Sequence, residues 1–411
     1  MKRISVVAAW LVLVSFVPLA EAQETVPPAN VDRSQMEPDE AGLWFEMDRA
    51  EARARASARL VDDDSLSAYM SQVSCRIMPD RCAELRFYVM DIPLSNALMA
   101  PNGYSEVWTG ILLRIENEAQ LAFLLGHEGT HYTEDHSIEH WRATRTRMNI
   151  ALVVSAGVAV AGIDAATNYP EAAQDILEAT GHLIDAIHLA TIASIFGFSR
   201  ENEAEADAFG FDRMVAAGYD PAAAVAMWAN NMAEQEASDD PDVRRSEARS
   251  SIFNTHPLTE ARLRALRARA AGQPTGETNR ERYRAAIRPF LDSWLRADLR
   301  RRDFGRMLHL LDRLGRHGED LGVVEFYRGE VYRLRRGDGD RARAMTHYLN
   351  AITHPDAPAA AWRELGDLEF RDGAVGSAAE RFSTYLERAP EAQDRALIEA
   401  RLAQLTERGA Q

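Results

Sequence analysis

The stretch His127-Glu128-Gly129-Thr130-His131 constrains this chain more than any other, because its spacing answers to a reaction rather than to folding. On a helix, residues four apart share a face. The two imidazoles can therefore close on one metal ion, with Glu128 beside them over an open coordination position. The chemistry implied is zinc-assisted hydrolysis. The same letters also fit an exposed amphipathic helix carrying two ordinary histidines, so the surrounding sequence has to decide. Glu116 to Leu125 leads into the motif with helical composition and one apolar face. The helix is expected to run on through His136 toward Trp141. His136 and His140 are then surface or supporting residues, and neither has the spacing of a ligand.

Charge excludes one class of partner. The formal net charge is −16, and the basic complement is arginine apart from a single lysine, Lys2. A balance this acidic repels phosphate, so no nucleic acid is expected as a partner. Lys2 lies in Met1 to Ala22, where a basic end, an apolar run from Ile4 to Val17 and a small-x-small site describe a secretory signal peptide. The alternative is an uncleaved membrane anchor, although the run is short of the ~20 residues a spanning helix needs. With Lys2 removed, Ser-Lys and Schiff-base catalysis are excluded in the mature chain. Export also bears on the two cysteines, Cys75 and Cys82, which could pair as a local disulfide in an oxidising compartment or remain as two partly buried thiols.

Residues 23–40 are rich in Pro, Asp and Gln and are expected to form a linker or N-terminal arm. Helices are predicted over Gly42 to Leu60 and after Asp62-Asp63-Asp64-Ser65, where capping groups precede Leu66, Tyr69, Met70 and Val73 at helical spacing. Arg86 to Met90 and Tyr104 to Thr109 are predicted strands, with Pro101-Asn102-Gly103 as the turn between them. Two protein ligands do not complete a catalytic zinc site, so another element has to contribute. Glu203-Ala204-Glu205-Ala206-Asp207 lies on a predicted helix, Ser199 to Ala217, whose acidic edge could equally be a solvated face.

Ser199 to Gly210, followed by Ala217-Gly218-Tyr219-Asp220-Pro221, closely resembles the second motif of HtpX-type and CAAX-prenyl-protease-type zinc metallopeptidases. Leu60 through Tyr69, Asn96-Ala97-Leu98 with Pro101-Asn102-Gly103, and Asn254-Thr255-His256-Pro257 with Arg262 resemble further family motifs in the family's order. The resemblance covers roughly residues 40 to 270. It implies Glu203 as the third ligand beside His127 and His131, one Zn2+ per chain, and Glu128 as the base that passes a proton from water to the leaving amine. It also places His256 and Arg262 near the metal, as hydrogen-bond donors to the oxyanion. His256 could alternatively fill the fourth position when no substrate is bound. Substrate is expected to add as an extended strand along the Asn96 to Met99 edge. Gly129 departs from the family, which usually has a bulky apolar residue there, and leaves room for weak or conditional activity.

Between the zinc motifs, Ile150 to Ile163 and Leu183 to Phe198 are apolar and read as a helical hairpin. Packing on the domain, covering the cleft and resting against a membrane surface are all open to it. Composition changes again at Gln273-Pro274-Thr275-Gly276. Beyond it, Trp362, Leu365, Gly366, Phe370, Gly373, Ala378, Phe382 and Pro390 match the tetratricopeptide pattern, and Gly329, Tyr332, Ala344, Tyr348, Ala351 and Pro355 form a weaker copy. A plain helical bundle is the alternative.

The expected fold is mainly α with a small β-sheet. A zincin-like HExxH metallopeptidase domain spans 41–272, a linker 273–282, and an α-helical TPR solenoid 283–411. An exported peptidase with such repeats resembles periplasmic proteases of outer-membrane protein assembly. That resemblance implies unfolded or misassembled protein substrates, with the repeats docking clients or assembly machinery. The competing expectation is a TPR chaperone or scaffold whose zinc site is structural or weakly active.

Overall fold

A computed structural model describes residues 36–142, 198–245, 256 and 259–409, with isolated positions between 143 and 197. The expected signal peptide, most of the expected N-terminal arm, nearly all of the stretch expected as an apolar hairpin, Asn254, Thr255 and Pro257 lie outside the described residues. Among those described, no helix is long and apolar enough to cross a membrane.

Helix α1 (Pro38–Arg55) opens with proline in its first turn, where no intrahelical N–H is needed. Helix α2 (Asp64–Ile77) is capped by Asp63, whose carboxylate accepts from Leu66 N at 2.8 Å. Its Leu66, Tyr69, Met70, Val73 and Ile77 are buried on one face. Cys75, in its last turn, forms a disulfide with Cys82 beyond the helix.

Three strands follow, β1 (Arg86–Met90), β2 (Ala97–Met99) and β3 (Tyr104–Trp108), in the order β1-β3-β2. β1 runs parallel to β3 and β2 antiparallel to it. The sequence predicts two strands with a turn between them, and β2 is a third strand that lies before that turn. The Pro101-Asn102-Gly103 turn joins β2 to β3, and Gly103 adopts φ 79° there. A Cβ at Gly103 would also meet the Glu84 carbonyl oxygen at 2.3 Å, so the turn admits only glycine.

After the short α3 (Thr109–Leu112), helix α4 (Glu118–Thr133) starts at the Asn117 cap and is buried continuously from Glu118 to His131. A helix apolar or buried all round belongs at the centre of a fold. It does not continue to Trp141 as the sequence predicts. Asp135 takes φ 54°, which ends α4 and starts a separate helical stretch at 136. Helix α5 (Arg200–Ala216) begins in a reciprocal capping box between Ser199 and Asn202. It crosses α4 where two glycines meet. A Cβ on Gly210 would lie 2.7 Å from the His127 backbone nitrogen, and one on Gly126 3.1 Å from Gly210 Cα. Helices α6 (Ala222–Glu236), α7 (Pro241–Arg245) and α8 (Glu260–Ala270) complete this part.

Residues 273–282, expected as a linker, are docked. Glu277 pairs with Tyr219 in a β-bridge, Ala119 N donates to Thr278 O, and Arg76 bonds Glu277. Helices α9 (Arg280–Ile287), α10 (Leu291–Leu299) and α11 (Phe304–Gly315) then bury Tyr283, Trp294, Leu295 and Met307 in the same apolar core as α2 and α4. The physical reason is side-chain character. Tyr283 and Trp294 are too large and apolar to be left on a free connector.

Successive helices α12 (Leu321–Arg335), α13 (Asp340–Ala351), α14 (Ala360–Arg371), α15 (Val375–Arg388) and α16 (Arg395–Gly409) continue the chain. One contact recurs. A Cβ on Gly329 would strike the Tyr348 ring at 2.4 Å, and one on Gly366 the Phe382 ring at 2.9 Å. In each pair a glycine on the first helix admits an aromatic ring from the second.

Candidate metal centre

The α4–α5 crossing sets the site. With the backbones in contact at Gly126 and Gly210, Glu203, about two turns earlier on α5, lies opposite the histidine face of α4. One ligand atom each from His127, His131, Glu203 and His256 falls within 4.8 Å of all the others, and all four residues are fully buried. His131 Nε2 is 3.3 Å from His127 Nε2, which is 3.2 Å from His256 Nδ1. Glu203 oxygens lie 3.6 Å from both His127 Nε2 and His131 Nε2. A tetrahedron with zinc–ligand bonds of about 2.0–2.1 Å has edges of about 3.3–3.4 Å, so this donor set fits one zinc ion.

Each ligand is held from outside the cluster. His127 Nδ1 faces Asp207 Oδ1 at 3.1 Å. Asp207 also accepts from Trp228 Nε1 at 3.2 Å and from Arg262 Nε and Nη2 at 2.7 and 2.8 Å. Burial raises the Asp207 carboxyl, but the charge and hydrogen bonds of Arg262 outweigh it and hold Asp207 far below the usual carboxylate range. An ionised Asp207 fixes the His127 tautomer so that Nε2 faces the metal. Glu203 is likewise raised by burial and lowered on balance by His256 and Arg262, whose Nη1 sits 2.6 Å from Oε2. His131 is held below the ordinary histidine range by burial and then by His127, which keeps it neutral, as a ligand must be. Its ring stacks on Phe198 at 3.7 Å, and its Nδ1 lies 3.0 Å from His136 Nδ1.

Glu128 is not in the ligand group. It is fully buried and, among the described residues, neither carboxylate oxygen has a hydrogen-bond partner, while His256 Nε2 lies 3.6 Å from Oε1. Burial raises its pKa, opposed by the charges of His256 and His127. A buried carboxylate left without partners, with a raised pKa and beside a metal group, is placed for proton transfer.

The structure brings together all six side chains expected at the site, with one change of position. Arg262, expected as an oxyanion donor, spends Nε, Nη1 and Nη2 on Asp207 and Glu203. It orients ligands here. Asp207, Trp228 and Phe198 were not expected at the site, whereas His136, expected as a surface or supporting residue, is buried and supports His131. Asp207 could have been found, because it stands four residues after Glu203 on the same helix face. The His136 contact depends on the reversal at Asp135, and nothing in the sequence marks Phe198.

A buried His-Glu-x-x-His helix with its third protein ligand on an adjoining helix defines a zinc metallopeptidase. Residues 67–270 of the chain match the model of peptidase family M48. The chain is 28% identical over 219 residues to the beta-barrel assembly-enhancing protease of Escherichia coli K12, a match covering 53% of this chain and 41% of that protein. It is 30% identical over 203 residues to the mitochondrial metalloendopeptidase OMA1 of Schizosaccharomyces pombe, covering 48% and 51%. It is 29% identical over 179 residues to the OMA1 metalloendopeptidase of Danio rerio, covering 44% and 34%. The matched stretch thus spans about half or less of these relatives.

Proposed function

We propose that this chain is an exported, periplasmic zinc endopeptidase that hydrolyses peptide bonds in unfolded or misassembled proteins during outer-membrane protein assembly. The helices after residue 283 act as a tetratricopeptide-like module that docks clients or assembly machinery. The observation that carries the catalytic part is Glu128, buried and unpartnered beside a four-ligand group it does not join. Bound by His127, His131 and Glu203, zinc would supply Lewis acidity and lower the pKa of water toward about 7. Glu128 takes the proton of the attacking water and returns it to the leaving amine. Asp207 and Arg262 hold His127 and Glu203 in place throughout. β2 is the end strand of the sheet, and Met99 O on its outer side accepts from Ser137 Oγ at 3.0 Å. A substrate strand pairing there displaces that hydroxyl and is positioned by backbone hydrogen bonds, with little demand on side chains. The signal-peptide signature supports export, and similarity to a beta-barrel assembly-enhancing protease supports the outer-membrane setting.

One observation favours a second reading. With His256 included, the ligand set is closed, as in structural zinc sites. A scaffold with structural zinc has no need of Glu128. Glu128→Gln separates the readings: it should retain about one zinc per chain by atomic absorption and lose about 10²–10⁴ in cleavage of an unfolded substrate. Undiminished cleavage by this variant would remove the peptidase mechanism.

A further inference from the structure

Helices α12, α13, α14 and α16 enclose a groove of about 650 Å³. Six arginines and three carboxylates line it, an excess of positive charge in a chain whose net charge is −16. Four of the six are committed within the fold. Arg333 pairs with Glu330 and Glu364, Arg341 with Asp372, Arg363 with Glu364 and Asp394, and Arg401 with Asp367. Arg336 and Arg371 are exposed, and among the described residues their guanidinium groups have no ion-pair or hydrogen-bond partner. The groove is also partly apolar. Leu368 and Ile398 are buried in its wall, and Leu397, 55% exposed, is one of few large apolar side chains left open to solvent.

We infer that the groove binds an acidic peptide segment of a partner protein, its carboxylates on Arg336 and Arg371 and an apolar side chain on Leu397. This rests on the docking role proposed above for the helices after residue 283 and names what they dock. Charge complementarity selects an anionic occupant, because two guanidinium groups face the groove without counter-charges. Size and the exposed leucine select a chain segment, since a small anion would leave Leu397 uncovered and grooves of this volume enclose several groups of a ligand. The −16 overall charge disfavours nucleic acid, whose affinity comes from a broad basic surface.

The test uses the full chain carrying Glu128→Gln, so that probes survive, and fluorescein-labelled decapeptides read by anisotropy. One peptide is Asp/Glu-rich with a single Phe, a second has Asn/Gln in place of the acids, and a third is acidic without Phe. The first should bind best and weaken with added salt. Arg336→Glu/Arg371→Glu should weaken it about tenfold or more, and Leu397→Ser several-fold. Arg336→Gln/Arg371→Gln should give a smaller loss in the same direction. Equal binding of the neutral peptide, or unchanged binding by the double charge reversal, overturns the proposal. So does capture of anionic lipid vesicles without peptide binding. In parallel, the chain with Glu128 intact is assayed for cleavage of a neutral unfolded substrate. Absent cleavage with intact peptide binding would reject the peptidase reading and leave the groove standing.

Discussion

His256 shows how one side chain can decide the state of the site. Its Nδ1 lies 2.8 Å from Glu203 Oε1 and 3.2 Å from His127 Nε2, inside the ligand group, and its Nε2 lies 3.6 Å from Glu128. That geometry supports the role of fourth ligand over that of oxyanion donor, the two roles open to it from the sequence. His256→Ala should therefore raise basal cleavage or self-cleavage, followed by gel and by a quenched-fluorescence peptide. A fall in turnover by about 10²–10³ would instead assign it to the oxyanion.

Among the elements, the α4–α5 crossing matters most, because it brings the third ligand to the histidine pair. Gly210 packs backbone to backbone against Gly126 and His127, where nothing can yield without moving a helix. Gly129 differs. A Cβ there meets the Sδ and Cε of Met78 at 2.4 Å, the far end of a flexible side chain, and Leu85 Cδ1 at an ordinary 3.7 Å. Gly210→Ala should cost about 1–3 kcal/mol and release zinc more readily, by thermal unfolding and chelator competition. Gly129→Ala should be near neutral, since the helix gains about 0.8–1.0 kcal/mol of propensity to set against the shift of Met78. Equal losses in both variants would show that the crossing is not the constraint.

At the scale of the whole molecule, the chain before and after residue 273 shares one core and one buried ion cluster. Arg114 meets Glu234 at 2.7 Å and Asp298 at 3.2 Å, and Arg306 meets Glu234 at 3.1 Å, all nearly without solvent exposure. Removing one member of such a cluster costs about 3–5 kcal/mol. Truncation before residue 283 should therefore yield a chain that fails to hold its fold by circular dichroism, whereas truncation after residue 318 should leave a folded, zinc-binding protein. Glu234 adds a pH dependence. Burial raises its pKa, but Arg114, Arg306 and Arg313 lower it on balance from 4.5. A carboxyl depressed in the folded state contributes stability fully present above its unfolded pKa and lost as pH falls through the folded value. Stability measured by urea unfolding should thus drop below about pH 4.5, and the drop should be smaller in Glu234→Gln, which is less stable at neutral pH.

Local information accounts for what was legible in the chain. His127 and His131 share a helix face through a four-residue spacing with Glu128 beside them, Asp63 caps a helix because its side chain reaches an N–H three residues on, and Cys75 and Cys82 are close enough in sequence to pair. Glu203, His256 and Arg262 were reached through motif resemblance. What could not be read depends on distant segments meeting. The parallel pairing of β1 with β3, the return of His136 to His131 after Asp135, the engagement of Arg262 with two carboxylates and the docking of 273–282 all follow from packing. Spacing specifies which side chains share a face of one element. Which faces then meet is set by burial of apolar surface and by close backbone approach, as at Gly126 and Gly210, between residues 84 positions apart in the chain.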